Sequence, residues 1–404
     1  MKPLPLVALC ASLALVAGPA ALGAATAAAV LPTSATVDAE VARAMAATGA
    51  QGMALAIIDD GQVVHVGAYG HRNAAGDPLQ TNTIMYGASL TKAAFAYMVM
   101  QLFEEGVLDL DTTIDHYLER PLPEYSAPEV EDLYARWSDL AGDERWRELT
   151  PRRLLTHSSG FANFGFLEPD GILRFHFAPG SRYGYSGDGF ILLQFVLERG
   201  LGLDVGREMQ RRVFEPLAMP DSSLIWRDDY AGRLADGWGL GGDVEPHDSR
   251  SAVRAAGSMD TTITDMAHFA AGYVRGDRLS PTARTELTRA QLPITTAGQF
   301  PSLQPELAPA MRRPDLAAGL GVVAFTGPQG PGFMKGGHND WTGNVWVCVE
   351  SLRRCVLILA NDVRAEAAFP QLVDFVLGET GAPWTWEYGD LTFWRPAAPP
   401  ARTR

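Results

Sequence analysis

The chain's β-rich segments lie at its two ends, and a long, mostly helical stretch separates them. Residues 53–58 and 62–68 flank Asp59-Asp60-Gly61, a strong hairpin signal. β-rich runs return at 320–325, at 333–337 after a Gly/Pro loop over 326–332, and on either side of 350–354. Neither set of strands buries both of its faces alone, so the two must meet in space. The pattern predicts an α/β fold, an antiparallel sheet flanked by helices and split in sequence. Its α/β portions cover about 37–90 and 318–390, and an all-α insertion covers about 91–317. Helices are expected over 37–47, from Ser89 to Glu105 before Gly106, and over 365–377. The helix starting at Ser89 then falls at the junction of the two parts, where pockets form. Residues 118–148, charged and Trp-containing, suit a surface excursion or a lid.

Both ends read as extraneous to this core. Lys2, an apolar run over 4–16 and small residues over 21–29 make residues 1–29 a secretory signal peptide, which implies a periplasmic or secreted protein. A membrane anchor fits less well, because the apolar run is short and broken by Gly and Pro. Leu9 ahead of Cys10 also argues against a lipoprotein signal. Residues 30–394 form the expected folded unit, and the Pro/Ala-rich 395–404 a flexible tail. The 404 residues carry 33 cations against 47 acidic groups, a net charge of -14 that argues against nucleic-acid partners and anionic membranes. No second stretch is long enough to span a bilayer.

In an exported protein, Cys348 and Cys355 acquire a second meaning. They sit in β-rich runs joined by 350–354, and a hairpin centred between Ser351 and Leu352 makes them face one another. Directly opposed strand residues are within disulfide reach. The alternative is two small buried hydrophobes.

Lysine usage points to chemistry. Beyond Lys2 the chain has only Lys92 and Lys335; every other cation is arginine. Arginine replaces lysine in salt bridges but does not deprotonate in a protein. An ordinary lysine is neutral about once in 2500 molecules at pH 7, and lowering its pKa to about 7 costs roughly 4–5 kcal/mol. Burial and a second nearby cation supply that shift. Ser89 and Lys92, three apart on a helix, share a face. A neutral Lys92 there accepts the Ser89 proton and leaves an activated nucleophile at the positive end of the helix. The plainer possibility is an N-cap serine with a solvated lysine one turn on. Tyr185, in Tyr185-Ser186-Gly187 ahead of an apolar helical run, is a candidate proton relay or merely an aromatic anchor. Lys335-Gly336-Gly337 ends a strand beside a Gly-rich loop, where it gives either a positive field for a substrate or a plain strand-end charge.

Taken in order, these elements resemble the serine β-lactamase and penicillin-binding-protein superfamily, nearest its class C β-lactamase, D-alanyl-D-alanine carboxypeptidase and β-lactamase-like esterase branch. Ser89 and Lys92 match its Ser-x-x-Lys, Tyr185 its Tyr-x-Asn, and Lys335 with Gly337 its Lys-Thr-Gly. The stretches 154–160 and 255–259 also look familial. The resemblance implies the β-lactamase/transpeptidase-like fold, with Ser89 as acylated nucleophile and Lys92 and Tyr185 as proton-transfer groups. It makes Lys335 a binder of substrate carboxylate, the backbone N–H groups of Ser89 and His338 an oxyanion hole, and no cofactor or metal necessary. No metal-ligand spacing of His or Cys occurs. Two positions depart from the pattern: Gly187 stands where the family has asparagine, and Gly336 where it has threonine or serine. The expected function is an exported serine hydrolase acting through an acyl-enzyme. Its substrate is a small molecule or peptidoglycan-derived: a carboxylate-bearing amide, D-amino-acid peptide, β-lactam or small ester. The rival reading is a non-catalytic β-lactam or peptidoglycan-fragment binding or sensor domain.

Overall fold

Asp60 and Gly61 both adopt positive φ, 47° and 73°, the backbone a two-residue hairpin turn needs. They join β1 (Gly52–Asp59) to β2 (Gln62–Gly70). The computed structural model describes residues 30–389, so the leader 1–29 and the tail 395–404 lie outside the described residues. Further along come β3 (Met85–Tyr86), β4 (Gly237–Trp238), β5 (Val244–Glu245), β6 (Asp260–Thr261), β7 (Leu292–Pro293) and β8 (Leu316–Ala318). The last four are β9 (Val323–Gly327), β10 (Gly330–His338), β11 (Gly343–Val349) and β12 (Arg354–Ala360). Eight of them form one sheet in the order β2-β1-β12-β11-β10-β9-β8-β7, with every neighbouring pair antiparallel. The two ends of the chain meet where β1 pairs with β12, Ala54 opposite Leu359 and Ala56 opposite Leu357.

Alternate residues of the central strands feed two apolar layers. Met53, Leu55 and Ile57 of β1 join Val345, Val347, Val356 and Ile358 on one side. That layer also holds Val37 and Val41 of α1 (Ser34–Thr48). Ala54, Ala56, Ile58, Trp346, Leu357 and Leu359 face the other side, where the bulk of the helices pack. Those helices include α2 (Leu90–Glu104), α3 (Pro128–Leu133), α4 (Pro151–Leu155), α5 (Gly187–Phe195), α6 (Val205–Met209), α7 (Ile263–Arg275) and α8 (Pro281–Thr288). The chain closes with α9 (Phe369–Leu377), on the α1 side, and the short α10 (Trp384–Tyr388). Because both faces are covered, β11 and β12 are buried throughout, which is why they read as continuous apolar runs. All of residues 90–102 in α2 are buried, as expected of a helix apolar on every side.

The insertion is mainly helical, but it is not all-α. Within 91–317 lie the β4–β5 ladder, β6, which pairs with β3, and β7 with part of β8, which extend the main sheet. Two-residue strands are too short to leave a period-2 signature. Moreover α7 packs directly on β1, β2 and β12, so the helical part shares the sheet's core. Residues 118–148 bury Trp137 and Trp146, and Glu131, Tyr134, Ala135, Arg136 and Asp139 of this stretch line the cleft described below. Cys348 pairs with Cys355 across β11–β12, and the two are disulfide-bonded with Cα atoms 4.1 Å apart. No helix among the described residues is long and apolar enough to cross a membrane.

Candidate active site

Ser89 is the N-cap residue of α2, yet its side chain makes no capping hydrogen bond. Lys92 Nζ instead donates to Ser89 Oγ at 3.0 Å, and the Tyr185 hydroxyl donates to the same oxygen at 2.8 Å. Helical spacing accounts for the first contact. The second is tertiary: Tyr185 lies just ahead of α5, whose N-cap Ser186 accepts from Gly189 N at 3.0 Å. The first turn of α2 runs from Leu90 N to Gly87 O, Thr91 N to Ala88 O and Lys92 N to Ser89 O, which leaves the Ser89 N–H outside the ladder.

Both lysines are buried, Lys92 at 1% exposure and Lys335 at 4%. Burial first, and the charge of Lys335 second, hold Lys92 well below the ordinary lysine value. Burial also brings Lys335 down to about 8, against the opposing pull of Glu387. The Lys92 and Lys335 ammonium nitrogens lie 4.9 and 5.3 Å from the centre of the Tyr185 ring. Burial pushes the Tyr185 hydroxyl up, partly offset by its hydrogen bond to Ser89. His157, from the stretch 154–160, stacks on Tyr185 and accepts the Ser186 N–H on Nδ1 at 3.1 Å. Burial and the two lysines depress its pKa well below the usual histidine range, so this ring is neutral.

The third element is a strand edge. β9 pairs with β10 only as far as Met334, so 335–338 keep β11 on one side only, and 336–338 line the cleft. Gly337 passes the start of α2 so closely that a Cβ there would lie 2.9 Å from Gly87 O and 3.1 Å from Ser89 N. His338 reaches Glu366 at 3.1 Å through Nδ1. Burial alone would lower the His338 pKa, but that carboxylate raises it overall. Ser89, Lys92, Tyr185, Gly337 and His338 thus meet at one cleft of about 820 Å³, with Lys335 buried beneath its edge.

The sequence model of the family described as Beta-lactamase matches residues 37–377. The chain belongs to this β-lactamase family. Among curated relatives, monacolin J acid methylbutanoyltransferase of Aspergillus terreus is 33% identical over 188 residues, 39% of this chain and 43% of that protein. Lovastatin esterase of Penicillium rubens is 29% identical over 184 residues, 39% of this chain and 44% of the esterase. The chain therefore spans less than half the length of these relatives. Among solved structures, the D-alanine carboxypeptidase AmpC from Burkholderia cenocepacia superposes with a TM-score of 0.65 at 18% identity, over 85% of this chain and 98% of that one. That likeness shows the fold.

Within this β-lactamase-family site, the two glycines that break the sequence pattern are filled from elsewhere. A Cβ on Gly187 would stand 2.3 Å from the Phe164 ring, and one on Gly336 would stand 2.1 Å from Glu387 Oε1. Phe164 and Phe166 stack with ring centres 5.1 Å apart and, with Leu173 and Ile191, give the cleft an apolar flank. Sequence reasoning did not single out Phe164, Glu387 or the role of His157. Only the stretch around His157 carried a signal; the other two come from segments remote in sequence.

Proposed function

We propose that this protein is a serine hydrolase that cleaves small esters through an acyl-enzyme on Ser89. The observation that carries the reading is the Ser89 hydroxyl held between Lys92 Nζ and the Tyr185 hydroxyl rather than used as a helix cap. A neutral Lys92, with Tyr185 as relay, takes the Ser89 proton as Oγ attacks the ester carbonyl. The N–H groups of Ser89 and His338 receive the negative charge that develops on the carbonyl oxygen. Collapse breaks the bond to the alcohol, which leaves with the proton held by the Lys92–Tyr185 pair. Water then adds to the acyl-enzyme, gives its proton to the same pair, and releases the acid and Ser89. The esterase and acyltransferase among the relatives support an ester substrate. Export, to periplasm or medium, belongs to the same proposal, supported by the leader-like composition of 1–29 and by the disulfide.

The test is covalent labelling by a fluorophosphonate, peptide mapping of the adduct, and turnover of short p-nitrophenyl esters. Label on Ser89 and its loss in Ser89→Ala, together with turnover, are expected. Undiminished turnover in Ser89→Ala would remove the mechanism, and acylation without turnover would leave a sensor.

A further inference from the structure

Near the buried Lys335 sits a carboxyl group with no part in the mechanism above. Glu387, at the end of α10, is 6% exposed and lines the cleft. Its position is fixed by a relay of hydrogen bonds: the Tyr183 hydroxyl donates to Gln299 Oε1 at 3.0 Å, and Gln299 Nε2 donates to Glu387 Oε1 at 2.9 Å. The backbone locks α10 to the same loop, with Gln299 N donating to Trp386 O at 2.8 Å. Oε1 thereby fills the space over Gly336 that any side chain at that position would occupy. Gly336 lies between Lys335 and Gly337, on the edge that passes Ser89.

An anionic substrate group drawn into this cleft would be attracted by Lys335. It would meet the Glu387 carboxyl over the same stretch of strand, where burial raises that group's pKa against the pull of Lys335 and His338 and a second anion is costly. His338, on the same edge, is already engaged by Glu366. We propose that Glu387 is a specificity-determining residue: it fills the place on the 335–337 edge that a substrate carboxylate would take, so the site selects esters whose groups next to the scissile bond are uncharged. This rests on the Ser89 acyl-enzyme reading and names its substrate class. The apolar flank of Phe164, Phe166, Leu173 and Ile191 suits the same uncharged ligands.

The experiment compares two depsipeptide esters with the same acyl group, one leaving as D-lactate and one as D-lactamide, so that only a carboxylate distinguishes them. Wild-type kcat/KM is expected to favour the lactamide ester by tenfold or more. Glu387→Gln, which keeps the shape and the Gln299 contact, is expected to narrow that ratio at least tenfold by raising kcat/KM for the lactate ester. Should Glu387→Gln fail to fold, Glu387→Asp draws the carboxylate back from Gly336 and is expected to narrow the ratio part-way. A wild type that prefers the lactate ester, or a ratio unmoved in a folded variant, overturns the proposal. Fluorophosphonate labelling of each protein separates the two layers. Label on Ser89 with an unmoved ratio sinks the specificity assignment alone, whereas a wild type that takes no label there sinks the acyl-enzyme reading and this inference with it.

Discussion

The imidazole of His157 lies over the phenol of Tyr185, with ring centres 4.3 Å apart and planes 28° from parallel. The same residue turns the chain at φ 54° and accepts Gly184 N on its carbonyl at 2.8 Å, so it fixes the tyrosine from both backbone and side chain. A protonated ring here would be a third cation beside Lys92 and Lys335. Burial first, and the charges of those two lysines after it, disfavour that protonation.

His157→Phe preserves the stacking but leaves the buried Ser186 N–H without its acceptor. An unsatisfied buried donor costs about 1–3 kcal/mol. The expected outcome is a loss of stability of that size in denaturant titration, with kcat reduced and KM little changed. A fall in stability with kcat intact would make His157 purely structural.

Lys92→Arg is expected to abolish ester turnover as completely as Lys92→Ala, because arginine holds its proton. The pH profile carries the sign. Activity needs neutral Lys92, so kcat/KM rises with pH through the lysine's own depressed pKa. The Lys335 charge contributes to that depression, so Lys335→Gln is expected to move the rising limb toward higher pH. A limb unmoved in Lys335→Gln would mean that Lys92 does not set it.

Asp188, buried at the start of α5, accepts the Gly165 N–H at 2.6 Å, and burial raises its carboxyl pKa to about 7 from 3.8. Between those values the folded form holds a proton that the unfolded chain has lost. Stability contributed by this group is thus fully present below about pH 4 and declines as pH rises to about 7, by up to about 4 kcal/mol. Asp188→Asn removes the titration, so its unfolding free energy should vary less over that window than the wild type's. Parallel pH profiles for the two proteins would show that Asp188 is ionised in the folded state.

Gly187→Asn with Gly336→Thr restores the family pattern on paper and is expected to shift specificity toward β-lactams where the loops accept the side chains. In the structure Phe164 and Glu387 already fill both places, and their side chains must shift to admit a Cβ. Overpacking of this kind costs about 1–3 kcal/mol per site. Each single variant should therefore lower the melting temperature without a gain in cephalosporin hydrolysis. A folded double variant with improved cephalosporin turnover would show that the two side chains yield.

The hairpin turn at Asp60-Gly61, the start of α2 and the facing cysteines were legible because each depends on neighbours in sequence. Turn dihedrals, a three-residue helical offset and a symmetric hairpin register are local geometry. The β3–β6 and β4–β5 ladders were not, because strands of two residues carry no periodicity and exist only where tertiary contacts line them up. The charges and tryptophans of residues 118–148 were read together in the sequence, while the burial of Trp137 and Trp146 depends on the packing of the helices around them.

By itself the sequence pointed to one serine and two lysines as candidates for chemistry, since a chain that otherwise uses arginine throughout places lysine at only those two positions beyond its leader. It also determined that its two β-rich ends must share a sheet. Tertiary structure alone decided what surrounds that chemistry. Glu387 reaches Gly336 from 51 positions further along the chain, and Phe164 covers Gly187 from 23 positions before it. A glycine in a sequence is only a missing side chain; what fills the space is set by packing between segments whose order along the chain says nothing of their distance.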